Sequence, residues 1–252
     1  MPEHLTRICS DTLGLTRSRV GTFLLTKHTH RHPQFFALLC KWLKDSPVLA
    51  QDFPFTSISV NFAYAARTHR DNNNAGVSLT KSFGAFMGGQ LRYWPDDDGE
   101  QPLTALRKTD ALTLDTKANL ALFDGARAHQ VLPFIGERYS LVFFTVEGYE
   151  RAPKEVLEKL RVCHVTLPAD ATWNYYSQLL RKPKGVRAKS LHEFFSGKMV
   201  EKTAVRIWAK KSLASLGSEA LIRTLSFLDT CSNSHTAAIC SCVTLSRVLD
   251  ID

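Results

Sequence analysis

The sequence predicts an α+β fold built around an antiparallel sandwich or jelly roll. Three observations lead there. Residues 56–150 hold a series of short β-rich runs, broken by turn segments rich in Gly and Asp and with no helical pattern between them. A helical pattern precedes this stretch, and the strand signal fades after it. Many short strands without intervening helices bury their faces by packing sheet on sheet.

In residues 1–55, "VGTFLLTK" reads as a strand. "PQFFALLCKWLKD" opens with Pro33 at a helix start and places Phe36, Leu39, Cys40 and Leu43 at helical spacing. The strands of 56–150 are "SISVNFAYA", "GVSLTK", "QLRYW", "ALTLD", "NLALFD" and "YSLVFFTVE", punctuated by "MGG", "DDDGEQP" and "IGER". From "RAPKEVLEKL" onward, "SLHEFF", "AVRIWAKKSLASL" and "SEALIRTLSFLD" read as helices. The expected division is an N-terminal support (1–55), a β core (56–150) and a helical, basic C-terminal region (151–252).

The 252 residues suit one sizeable domain with or without an appendage. A hydrophobic content of 44% argues against wholesale disorder. The six cysteines form no CxxC pair and no framework spacing, which fits reduced thiols inside a cell. No apolar run approaches the ~18 residues of a membrane span, and no stretch reads as a secretory signal. An intracellular protein with no membrane partner is expected.

The net charge of +8 is uneven. Residues 1–150 hold 16 Lys/Arg against 15 Asp/Glu, whereas 151–252 hold 16 against 9. An anionic partner for the second part follows, nucleic acid first among them. A merely solvated helical surface explains the same charge.

"THRDNNNAGVS" (68–78) carries the first chemical signal. Asn72, Asn73 and Asn74 suit a turn rather than a pleat. His69 and Asp71 stand at i and i+2 of the extended segment before it, so they share a face. His129, at the end of "NLALFDGARAHQVLP", supplies a third donor from a distant strand. Arg138 begins "RYSLVFF", too apolar a strand to turn a charge inward without an anion to meet it. Arginine recognises carboxylates bidentately, and Ser140 lies on the same face two residues on. Two His and one carboxylate with open positions are the facial triad of non-haem Fe(II) oxygenases. A 2-oxo acid and O2 would fill those positions, with Arg138 on the acid's far carboxylate.

The ordered set "HRD", "H" and "RYS" resembles the 2-oxoglutarate/Fe(II) dioxygenases, which fold as a double-stranded β-helix. "HRDNNNAG", "GAFMGGQL", "LFDGARAHQVLP" and "GERYSLVFF" narrow the resemblance, over residues 56–147, to the TET/JBP branch. Its members oxidise the 5-methyl group of pyrimidine bases in nucleic acid. The resemblance implies Fe(II) held by His69, Asp71 and His129, and 2-oxoglutarate held by Arg138, Ser140 and Asn61. It also implies a nuclear setting, with 5-methylcytosine or thymine in DNA as the substrate; Asn61 and Asn73 could contact co-substrate or substrate, or equally be strand-edge and turn residues. The six scattered cysteines do not build the zinc region of animal TET enzymes.

Other features have competing readings. Phe86, Tyr93 and Trp94 could stack on a flipped base, although core packing is the commoner fate of such rings. "KHTHRHP" (His28, His30, His32) reads as a solvated loop, and "DDDGE" (96–100) as a solvated hairpin turn. Between 181 and 211 ten Lys/Arg face two acids, and Arg181, Lys182 and Lys184 are its candidate nucleic-acid contacts. Residues 212–250 faintly resemble an F-box, which implies an adaptor-protein partner. Rival functions are a prolyl-type protein hydroxylase with the same iron site and a non-catalytic adaptor.

Overall fold

The computed structural model describes residues 8–46 and 52–180. Arg181, Lys182, Lys184 and the F-box-like 212–250 lie outside the described residues.

The main sheet has six antiparallel strands in the order β2-β1-β3-β11-β4-β8. These are β1 (Cys9–Arg17), β2 (Phe23–Leu25), β3 (Ser57–Phe62), β4 (Asn74–Phe83), β8 (Ala121–Asp124) and β11 (Tyr139–Val146). A second sheet sets β6 (Leu91–Tyr93) between β7 (Leu112–Leu114) and β9 (His129–Val131). A ribbon pairs β5 (Phe86–Gly88) with β10 (Phe134–Gly136). Every pairing between these strands is antiparallel, and the architecture is that of a jelly roll.

The structure departs from the sequence expectation in three places. β1 has no counterpart among the expected strands, yet it pairs with β3 from Cys9↔Phe62 to Gly14↔Ser57. Residues 9–25 therefore extend the main sheet rather than merely flanking it. β4 runs from Asn74 to Phe83, longer than "GVSLTK", and only Asn72 and Asn73 form the turn. "KHTHRHP" is not a loop: it gives the short helix α1 (Lys27–Arg31), capped by the Thr26 hydroxyl, and the start of α2 (Pro33–Lys44).

Alternation along β11 fixes the two sides of the main sheet. Tyr139, Leu141 and Phe143 face α2. That helix buries Phe36, Leu39, Cys40 and Leu43, and its Trp42 meets Phe83 edge-on at 5.5 Å and stacks on Phe143 at 6.2 Å. Arg138, Ser140 and Val142 face the other way. Val142 packs with Leu91, Tyr93, Phe123, Leu114 and Val131, the apolar contact between the two sheets. Burying Leu91 and Phe123 contributes about 1.5–3 kcal/mol each. The cluster places β6, β8, β9 and β11 around one interior.

After the barrel come α3 (Lys154–Val162) and α4 (Asp170–Leu179). No helix among the described residues is long and apolar enough to cross a membrane.

Candidate metal centre

His69 and His129 come together through a pair of reciprocal backbone hydrogen bonds. Each residue's N–H donates to the other's carbonyl at 3.0 Å, an isolated antiparallel bridge at the first residue of β9. Their ring centroids lie 4.3 Å apart. Asp71 is tied in by its own N–H, which donates to the Gly125 carbonyl at 2.8 Å. His69, Asp71 and His129 each offer one ligand atom, and these atoms lie within 4.8 Å of one another. Among the described residues this is the one such group of three.

The backbone also sets the rings' orientation. Nδ1 of His69 lies 2.7 Å from the Arg67 carbonyl, and Nδ1 of His129 lies 2.9 Å from that of Arg127. A carbonyl only accepts, so Nδ1 carries the proton and the Nε2 lone pair is left for a metal. The two Nε2 atoms face the Asp71 carboxylate at 3.5 and 3.8 Å. The Asp71 hydrogen bond raises the pKa of His69, whereas burial lowers that of His129.

Two residues the sequence reading missed shape the carboxylate. Asn74 Nδ2 donates to Asp71 Oδ2 at 2.9 Å. Asn73 is exposed, and its backbone carbonyl accepts from Glu147. Gly125 leaves the space the carboxylate occupies: a Cβ there would stand 2.9 Å from Asp71 Oδ2 and 3.3 Å from Ser78 Oγ.

Farther along the interior sits Arg138, 2% exposed. Its Nη2 donates to Ser82 Oγ at 2.8 Å and its Nη1 to Ser140 Oγ at 3.3 Å. Asn61 Nδ2 reaches Ser140 Oγ at 3.5 Å, so the expected Arg138, Ser140 and Asn61 do form one network, joined by Ser82. The guanidinium lies 5.6 and 5.5 Å from the Phe86 and Phe134 ring centroids. Gly89, at φ +69°, leaves room that a Cβ would deny to Arg138 Cδ and Nε at 2.9 Å.

No carboxylate among the described residues pairs with Arg138, and burial alone pushes its pKa down to about 10. Two buried polar atoms on this inner face lack a partner, Arg138 Nε and Ser78 Oγ. A buried cation with no counter-ion fits an anionic ligand. Ser78 and Ser82 are about 13 Å apart along β4, so one strand leads from the metal ligands to the cation.

Three other expectations change. Tyr93 is 2% exposed, packs in the inter-sheet cluster, and its hydroxyl accepts from the Asp124 N–H. Trp94 is 4% exposed and donates Nε1–H to the Arg107 carbonyl. Phe86 is buried against Arg138 and Lys117. None of the three presents a free face for stacking. The acidic turn is not merely solvated either: Asp97 is buried and holds Arg70 through two 2.7 Å hydrogen bonds.

No family model and no curated protein matches the sequence. Solved structures do match. NgTET1 in complex with 5mC DNA shares 16% identity over 61% of this chain and 69% of that one, with a TM-score of 0.38. A 2OG-Fe(II) oxygenase family oxidoreductase from Burkholderia pseudomallei shares 16% over 56% and 69%, at 0.37. A Pseudomonas putida prolyl-4-hydroxylase shares 23% over 38% and 56%, at 0.25. What the site can do follows from its side chains.

Proposed function

We propose that this protein is an Fe(II)- and 2-oxoglutarate-dependent dioxygenase that oxidises the 5-methyl group of a pyrimidine base in nucleic acid. One observation carries the enzymatic reading. A two-His, one-carboxylate donor set faces the same interior as a buried guanidinium that has no counter-ion. The donor set matches iron's oxygenase ligation, and the guanidinium matches the far carboxylate of 2-oxoglutarate.

Bound at this site, the iron would supply oxidation driven by O2 and coupled to 2-oxoglutarate decarboxylation. The chain's own residues prepare the site for it. Arg67 and Arg127 hold both imidazoles in the tautomer that presents Nε2. Asn74 engages Asp71 Oδ2, which leaves Oδ1 for the metal. Arg138, steadied by Ser82 and Ser140, binds and orients the oxo acid, and the Phe86 and Phe134 rings exclude water from that contact.

The nucleic-acid substrate is supported by the TET/JBP-like residues around the ligands and by the excess of Lys/Arg after residue 150. DNA is the first candidate and a nuclear setting goes with it. A base within a duplex would have to be flipped into the pocket, at a cost of a few kcal/mol that backbone contacts must offset. The test is to incubate the protein with Fe(II), 2-oxoglutarate and methylated DNA or RNA, then resolve the nucleosides by mass spectrometry. Hydroxymethyl products dependent on both co-substrates are expected. Decarboxylation without any altered nucleoside would shift the reading to another substrate class.

A further inference from the structure

Two short segments carry the metal ligands, one holding His69 and Asp71 and the other ending at His129. Arg70 lies between the first two, so in extended backbone it points to the opposite face. There it meets Asp97 of "DDDGE". Arg70 Nε donates to Asp97 Oδ2 and Nη2 to Oδ1, both at 2.7 Å, and Nη2 also donates to the Gln101 carbonyl at 2.8 Å. The two side chains are 18% and 1% exposed.

Asp97 does more than pair with Arg70. Its Oδ2 also accepts the backbone N–H of Ala128 at 2.6 Å, the residue before His129. Its Oδ1 accepts from the Gly99 N–H at 3.2 Å, which fixes the carboxylate within its own turn. The Trp94 N–H in turn donates to the Ala128 carbonyl at 3.0 Å, so the acidic turn and the His129 segment are joined on both sides of Ala128.

We infer that Asp97 and Arg70 are positioning residues of the metal centre: one buried carboxylate fixes the spacing between the segment bearing His69 and Asp71 and the segment bearing His129. This rests on the metal-centre reading above. The reciprocal His69–His129 backbone bonds set the register of the two segments, but such a bridge can still twist about its axis. The bidentate pair on the opposite face removes that freedom. Arg–carboxylate pairs hold direction as well as distance, because both partners are planar. A metal that needs three donors at fixed separation gains from the lost freedom, and groups supporting ligands typically affect metal affinity roughly 10–100-fold.

The experiment titrates Co(II) into the full-length, metal-free protein, following its absorption spectrum, alongside thermal unfolding without metal. Wild type should bind one Co(II), and His129→Ala should not. Failure of either would remove the metal centre itself, whatever Asp97 does. Given that control, Asp97→Asn and Arg70→Met should each weaken Co(II) binding roughly 10–100-fold and alter its absorption bands. The double variant should bind no worse than the weaker single. Arg70→Lys keeps the charge without the fork and should fall between wild type and Arg70→Met. A lowered Tm with wild-type Co(II) affinity and spectrum would make the pair a fold element only and overturn the inference. If Asp97→Asn does not fold, Arg70→Lys decides: wild-type affinity and spectrum there also overturn it.

Discussion

Gly125 accepts the Asp71 N–H on its carbonyl at 2.8 Å, and a Cβ at Gly125 would stand 2.9 Å from Asp71 Oδ2. The same residue both anchors the ligand's backbone and makes room for its carboxylate. Gly125→Ala should therefore turn the carboxylate away while leaving the fold in place. Weaker Co(II) binding, by about tenfold, with a change in Tm of no more than a few degrees is the expected outcome of a titration and a melt.

Asp71→Asn keeps the size of the ligand and removes its charge. His129→Ala removes a ring that packs 4.9 Å from Phe123, so it also opens a void. Both should abolish 2-oxoglutarate decarboxylation, but only His129→Ala should cost appreciable stability. Wild-type turnover in either variant, followed as CO2 release, would remove that residue from the ligand set.

Arg138 tests the co-substrate. Arg138→Lys keeps charge but loses the planar fork, so the apparent KM for 2-oxoglutarate should rise while metal affinity holds. Arg138→Met removes a buried cation that has no counter-ion among the described residues. The metal-free variant should melt higher than wild type, by the equivalent of about 1–4 kcal/mol, and 2-oxoglutarate should no longer raise its Tm. Calorimetry with and without the oxo acid reads both effects.

A pH series separates the two histidines. His69 has a raised pKa in the metal-free protein, through its hydrogen bond to Asp71. A metal needs the ring neutral, so apparent Co(II) affinity should fall as pH drops through that value, by about tenfold per unit. Stability of the metal-free protein runs the other way. The contribution of a group whose folded pKa is raised is complete below its unfolded pKa, about 6.5, and is lost as pH rises through the folded one. Asp71→Asn should remove this second dependence, which metal-free melts across the range would reveal.

The basic stretch is tested by salt. Replacing Arg181, Lys182, Lys184, Arg187 and Lys189 with Gln should make log K for duplex DNA fall less steeply with log[salt], by ~0.9 for each phosphate no longer neutralised. Binding should weaken alike on all sequences, because such side chains position the backbone without reading bases. An unaltered slope would assign DNA binding to the loops of the barrel.

Much of the metal centre could be read along the chain because its cues are local. His69 and Asp71 face one way through the period of two in extended backbone. His129 follows a strand of alternating character, although it opens β9 rather than closing β8, and Arg138 stands out as a charge opening an apolar run. The β-rich core and the helix from Pro33 were equally legible, since periodicity and turn residues need only neighbours in sequence. What the chain could not disclose depended on partners far apart along it. Asp97 looked like a solvated turn residue until Arg70, 27 positions away, and Ala128, 31 away, closed around it. Asn74 reaches Asp71 from the first position of β4, because the turn ends one residue earlier than composition suggests. Tyr93 and Trp94 could have served as stacking faces or as core, and only the packing of Tyr93 against Phe123 of the main sheet and the Trp94 bond to the Arg107 carbonyl decided for core. Pairing of β1 with β3, likewise, joins residues as far apart in sequence as Leu13 and Ile58. Local pattern specifies which way a side chain points; only the packed tertiary structure decides what it meets there, and hence which charges are buried and which are solvated.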